Sequence, residues 1–111
     1  MNAQLKKGIL EKCILLIVKR ENSIYGYDLI KKIGVFFPEV NESTFYSILR
    51  RLEKREAIIS TVEKSTEGPP RKYYHLTEEG YLAMQQLRME WQQFNQQINH
   101  FLDQEEKRRL S

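Results

Sequence analysis

The sequence predicts a mainly α fold that carries one β-hairpin, an α+β class, and three successive stretches of different apolar period predict it. As far as Glu56 the apolar residues recur at spacings of three and four, the period of helices packed on one core. Between Ile58 and Leu76 they alternate with a period of two on either side of a cluster holding Gly68, Pro69 and Pro70. From Met84 to Phe101 the helical period returns as a heptad. With 111 residues, 41% hydrophobic and 30% charged, the chain has material for one small globular domain and no second core. The expected division is a compact unit over residues 1–77 and a dimerisation helix with a short tail over residues 78–111.

Leu5 to Arg20 reads as the first helix. Leu5, Ile9, Cys13 and Ile17 recur every four residues, and Leu10, Ile14 and Leu16 widen the stripe, so this helix is expected to make contacts on two sides. Glu21, Asn22 and Ser23 interrupt the pattern, and Tyr25, Leu29, Ile30 and Ile33 resume it in a second helix. Gly26 is expected at a close helix crossing, Gly34 as the helix stop, and Pro38 as a breaker in the turn that follows. A third helix spans Asn41 to Glu56, with Asn41 as a candidate N-cap. Phe45, Ile48, Leu49 and Leu52 form its narrow apolar stripe. The opposite face collects Ser43, Ser47, Arg50, Arg51 and Lys54, with Tyr46 on the flank. Two helices joined by a short turn match helix-turn-helix geometry.

After Glu56 the stretch Ile58 to Lys64 is β-branched and alternating, and Arg71 to Leu76 is rich in aromatic residues, which predicts a two-stranded hairpin. Tyr74 and Leu76 are assigned to its inner face, and Arg71, Tyr73 and His75 to its outer face. A hairpin directly behind such a helix is the wing of a winged helix-turn-helix. Thr77 is placed to cap the last helix, where Glu78 and Glu79 complement the positive end of the dipole. Along that helix Met84, Leu87, Trp91, Phe94, Ile98 and Phe101 form a heptad seam, expected to dimerise with a second copy of the chain. The competing arrangement folds the seam only against the chain's own first helix.

Charge narrows the function. Net charge is +3, but residues 1–77 carry 14 Lys and Arg against 9 Asp and Glu, a balance of +5, while the remainder carries 4 against 6, a balance of −2. The basic part contains the third helix, which favours a polyanionic partner. Short hydroxyls and helix N-terminal amides approach phosphate closely, while Arg and Lys reach further, to phosphates or guanine edges. The candidate DNA contacts are therefore Ser43, Thr44, Tyr46, Ser47, Arg50, Arg51 and Lys54 on the helix, with Arg71, Lys72 and Tyr73 on the wing. Catalysis is not expected: there is no CxxC, no GxGxxG, no phosphate-cradling glycine loop and no paired histidine on one helix. No metal or cofactor is expected either. Cys13, the single cysteine, cannot form an internal disulfide and is assigned to the core, in keeping with a reducing, cytoplasmic setting. No apolar run is long enough to span a membrane, and no signal-peptide pattern is present, so no membrane partner is expected. The alternative reading is a dimerising interaction module that docks an acidic protein on its basic face.

GYDL at Gly26 to Leu29, NESTFYSILRRLEK at Asn41 to Lys54 and RKYYHLTEEG at Arg71 to Gly80, in this order and spacing, resemble the PadR family of winged helix-turn-helix transcriptional regulators. The resemblance covers nearly the full chain. It implies a homodimeric repressor that binds double-stranded DNA at an inverted repeat and is released by a small molecule. The short C-terminal part is similar to a compact, multidrug-responsive subgroup, in which a tryptophan on the final helix of each subunit lines a flat apolar cavity at the dimer interface. Trp91 stands at the matching position. With Leu87 and Phe94 beside it, and Ile9 and Cys13 from the first helix, it is a candidate site for a planar aromatic effector; the alternative is plain interface core. Two departures stand out: Glu56 replaces the glycine usual after the recognition helix, and Asn95 replaces an acidic residue one turn beyond the tryptophan.

Overall fold

The stripe of the third helix is the centre of the molecule. In the computed structural model, which describes residues 3–110, Phe45, Ile48, Leu49 and Leu52 are buried against Leu10, Ile14, Leu15 and Val18 of the first helix and Leu29, Ile30 and Ile33 of the second. The elements run α1 (Ala3–Glu21), β1 (Ile24–Tyr25), α2 (Gly26–Phe36), α3 (Glu42–Lys54), β2 (Ile58–Glu63), β3 (Arg71–Leu76) and α4 (Glu78–Leu110). This is the mainly α winged helix-turn-helix expected, with a long last helix. The sheet, however, has three strands in the order β1-β3-β2, all antiparallel. The additional strand is only two residues long: Ile24 pairs with Tyr74 and Tyr25 with Tyr73. Tyr25 therefore precedes α2 instead of opening it, because two ladder pairs and a buried Ile24 hold it extended.

Several local expectations are corrected. On α1 the four-residue series Leu5, Ile9, Cys13 and Ile17 is not the core face; Leu10, Ile14, Leu15 and Val18 are. The series lies to one side, exposed at Leu5 and half-buried from Ile9 onward, which gives the helix the two-sided contact its breadth implied. Gly34 does not stop α2, which continues to Phe36 and is capped by Phe37, the residue before Pro38, where the pyrrolidine ring disfavours helical backbone. Gly26 accommodates no helix crossing: a Cβ there would lie 3.0 Å from the Tyr74 ring, so the close neighbour is the sheet. Asn41 occupies the N-cap of α3, but its side chain makes no capping bond; its carbonyl accepts from the Thr44 amide at 3.0 Å. Thr77 does cap α4, accepting the Gly80 amide at 2.9 Å. Its hydroxyl also lies 2.6 Å from the Glu56 carbonyl oxygen, which ties the start of α4 to the turn behind α3.

That turn holds the residue that departs from the family pattern. Glu56 sits at φ 61°, in the left-handed region, and follows the C-cap Arg55. The Ala57 amide bonds the Leu52 carbonyl and the Glu56 amide bonds that of Glu53, both at 3.0 Å, the paired closure of a helix end that normally selects glycine.

Candidate functional site

At 100° per residue, the apolar stripe fixes where every other side chain of α3 points. Ser43, Ser47, Arg50 and Lys54 are exposed on the side opposite Phe45 and Leu52, and Thr44 and Tyr46 lie half-buried towards the two flanks. Burial pushes the Tyr46 phenol up from its ordinary value, helped by the Glu42 carboxylate, so it remains a neutral hydroxyl able to donate or accept.

Arg51 is not part of that open face. Its Nη2 is bonded to Glu11 of α1, which is buried, and Arg55 Nη1 lies 3.5 Å from the other Glu11 oxygen. The reason is helical geometry: Arg51 and Arg55 are one turn apart on the flank that faces α1. A matching pair occupies the other flank. Glu53 Oε2 is 3.1 Å from Lys72 Nζ on the wing, while Ser60 Oγ donates to Glu53 Oε1 at 2.5 Å. The Ser60 hydrogen bond and the Lys72 charge hold the Glu53 carboxyl below its ordinary range, against the effect of burial. Lys72 is pulled down by burial, but its bond to Glu53 and the neighbouring Tyr74 leave its pKa above the ordinary value. Lys72 is thus engaged within the chain as Arg51 is, and α3 is braced by an ion pair on each side.

The outer face of the wing carries Arg71 and Tyr73 as expected, but neither stands alone. Tyr73 is half-buried with its ring 5.8 Å from that of Tyr25, and Arg71 lies over Tyr25 at 4.8 Å. Tyr25 and Tyr27, 6.1 Å apart, and Lys31, 5.1 Å from the Tyr27 ring, continue this aromatic and basic strip from the wing to the start of α2. Periodicity assigns Tyr25 to helix packing and so misses the strip; the Tyr-Gly-Tyr triplet at the start of α2 is its only trace in the sequence. His75 takes a bond from or gives one to Thr61 Oγ1, at 2.8 Å, and His100 is exposed on α4.

All five candidate ligand residues meet in one place. Ile9 and Cys13 of α1 and Leu87, Trp91 and Phe94 of α4 line a mainly apolar groove of about 530 Å³, with Leu5, Gly8, Lys12 and Glu90. Small-molecule sites usually measure roughly 300–1,000 Å³. Lys12 Nζ stands 5.7 Å from the Trp91 ring, within cation–π range. Cys13 lines this groove as well as touching the core, and burial raises its thiol pKa against the pull of Lys12, so the neutral thiol is favoured. Of the seam residues, Met84 belongs to the chain's own core, because the base of α4 packs on α1. From Arg88 to Arg109 every residue is exposed. Among the described residues no cluster of three or more His, Cys, Asp or Glu is placed to hold a metal, and no helix is long and apolar enough to cross a membrane.

Residues 14–86, which include all of α2, α3 and the wing, match the model of the transcriptional regulator PadR-like family. The chain belongs to the PadR-like family. Solved PadR-like structures superpose closely on it. One from Bacteroides fragilis is 37% identical with a TM-score of 0.78, over 89% of this chain and 95% of that one. Another from Bacillus cereus is 36% identical with a TM-score of 0.76, over 90% and 97%. An uncharacterized protein of Lysinibacillus sphaericus is 30% identical over 100 residues, 87% of this chain and 91% of that one. PadR-like proteins are transcriptional regulators, not enzymes, and bind DNA, typically as dimers.

Proposed function

We propose that this PadR-like chain is a homodimeric repressor in the cytoplasm that reads an inverted repeat with α3 in the major groove. The observation that carries the reading is the composition of the one open face of α3. Ser43, Ser47, Arg50 and Lys54 combine close-approach hydroxyls with two cations that no described acid neutralises. Thr44 and Tyr46 border it, and the wing strip of Arg71 and Tyr73 lies beside it as a backbone contact. Arg51 and Lys72 contribute to this reading by bracing α3 rather than by touching DNA. Two copies joined through α4 read half-sites about one helical turn, roughly 34–36 Å, apart. A charge-driven protein adaptor needs none of this patterning.

The groove beside Trp91 supports an effector site for a planar aromatic compound. Trp91, Phe94 and Leu87 supply apolar walls on one helix and Ile9 and Cys13 on the other. A ligand lowers operator affinity only to the extent that it prefers a dimer whose reading helices are displaced. Selection of bound duplexes from a random pool tests the central reading: an inverted repeat is expected, and a pool without enriched sequence rejects it. Trp91 is the only tryptophan, so saturable quenching by a panel of planar aromatic compounds tests the effector site separately.

A further inference from the structure

Glu11 interrupts the apolar run of α1 and is only 7% exposed. A carboxylate so placed requires partners, and both of its oxygens find them on one neighbouring segment. One accepts from Arg51 Nη2; the other lies 3.5 Å from Arg55 Nη1. The two arginines end the recognition helix, where long basic side chains would otherwise sweep the DNA backbone. Arg51 is thus partly exposed, with its Nε buried and only its guanidinium tip held by Glu11.

We propose that Glu11 is a specificity-setting residue for DNA binding: it holds Arg51 and Arg55 against α1 and keeps two cations off the phosphates. The inference rests on α3 being the DNA-contacting helix. Phosphate contacts carry no sequence information, and they supply essentially all of non-specific binding. In a loosely docked, non-specific complex two free arginines would reach whatever phosphates lie nearby. In the specific complex, register fixed by Ser43, Ser47, Arg50 and Lys54 would limit what they add. Holding them back therefore lowers affinity for random duplex more than affinity for the operator, and the ratio of the two rises.

The test uses the full chain, a random-sequence duplex and the selected operator, titrated between 50 and 200 mM salt. The proteins compared are the wild type, Glu11→Gln and the triple variant Glu11→Gln/Arg51→Gln/Arg55→Gln. Freeing two arginines in Glu11→Gln should steepen the salt dependence on random duplex by about two units per subunit, about four per dimer, so that on the order of a hundredfold more affinity is lost across that range. The ratio of operator to random affinity should fall. The triple variant should return to the wild-type slope, since the two arginines it lacks are not used by the wild type. A wild-type slope in folded Glu11→Gln overturns the proposal, as does a triple variant with a slope shallower than wild type by about two units per subunit. Should circular dichroism show Glu11→Gln unfolded, the triple variant decides alone by the same criterion. Failure of the underlying reading looks different: Arg50→Ala and Lys54→Ala would then leave operator affinity and slope unchanged.

Discussion

Glu56 holds a left-handed backbone that costs a side chain with a Cβ about 1–2 kcal/mol, and glycine is the residue that avoids this cost. Part of the gain is offset by glycine's larger freedom in the unfolded chain, so Glu56→Gly should stabilise by about 0.5–1 kcal/mol. Thermal unfolding at matched protein concentration checks this, with Tm expected to rise by a few degrees. A second residue-scale prediction concerns the Glu53–Lys72 pair. Glu53 titrates below its ordinary value, so its contribution is present above that ordinary value and is lost as pH falls through the depressed one. Lys72 is shifted upward, so its share is complete below the ordinary lysine value and is lost as pH rises through the raised one. Both groups are partly exposed, which limits the pair to about 1 kcal/mol or less. In urea unfolding, wild type should exceed Glu53→Gln by that amount at neutral pH, and the gap should close in acid. Single positions are the least legible part of the sequence. Glu56 is marked there only by departing from a family habit, and the role of Gly26 differs from expectation because it is set by the Tyr74 ring, a neighbour outside its own local pattern.

At the scale of elements, period and spacing carry most of the fold. The stripe of α3, the wing strands and the cap of α4 follow from the sequence because each is a local pattern matched by its burial. β1 is not legible: two residues carry no period, and only the β3 ladder makes them a strand. The braces on α3 escape for a related reason, since a Glu in an apolar run does not name the arginines 40 and 44 positions away that pair with it. Gly80 shows what such junctions demand. A Cβ there would fall 1.9 Å from the Ala57 carbonyl oxygen, so Gly80→Ala must push α4 away from the turn that ends α3. The expected cost is about 1–3 kcal/mol by analogy with overpacked cores, measurable as a fall in Tm. Arg50 and Lys54, by contrast, are exposed and make no ion pair among the described residues. Alanine at either should leave Tm unchanged and make the operator salt slope shallower by about one unit for each phosphate no longer neutralised. Unchanged slopes in both variants would remove α3 from the groove.

The whole molecule measures 69 × 30 × 21 Å because α4, with 33 residues, extends about 50 Å and only its base rests on the body. The heptad read from sequence is continuous, but the molecule divides it. Met84 is buried within the chain, whereas Trp91 is 40%, Phe94 57%, Ile98 40% and Phe101 62% exposed. A seven-residue repeat cannot distinguish these uses, because a helix presents the same stripe to its own domain and to a partner. An apolar stripe left open over several turns is costly in water at about 25 cal/mol per Å², and a second α4 crossing the first would cover it. Where the seam leaves the body therefore decides how dimerisation should be tested. Cutting the chain after Gly80 would remove Met84 and damage the core, so loss of the dimer would prove nothing. Ending it after Arg88 keeps Met84 and Leu87 and deletes only the uncovered part. That shortened chain should remain folded by circular dichroism yet sediment as a monomer. Phe94→Asp and Ile98→Asp should do the same in the full-length chain, since a carboxylate in a closed apolar seam costs several kcal/mol. A folded dimer persisting in the shortened chain would mean that the partner docks on another face, and the Trp91 groove would then have to be explained within one subunit.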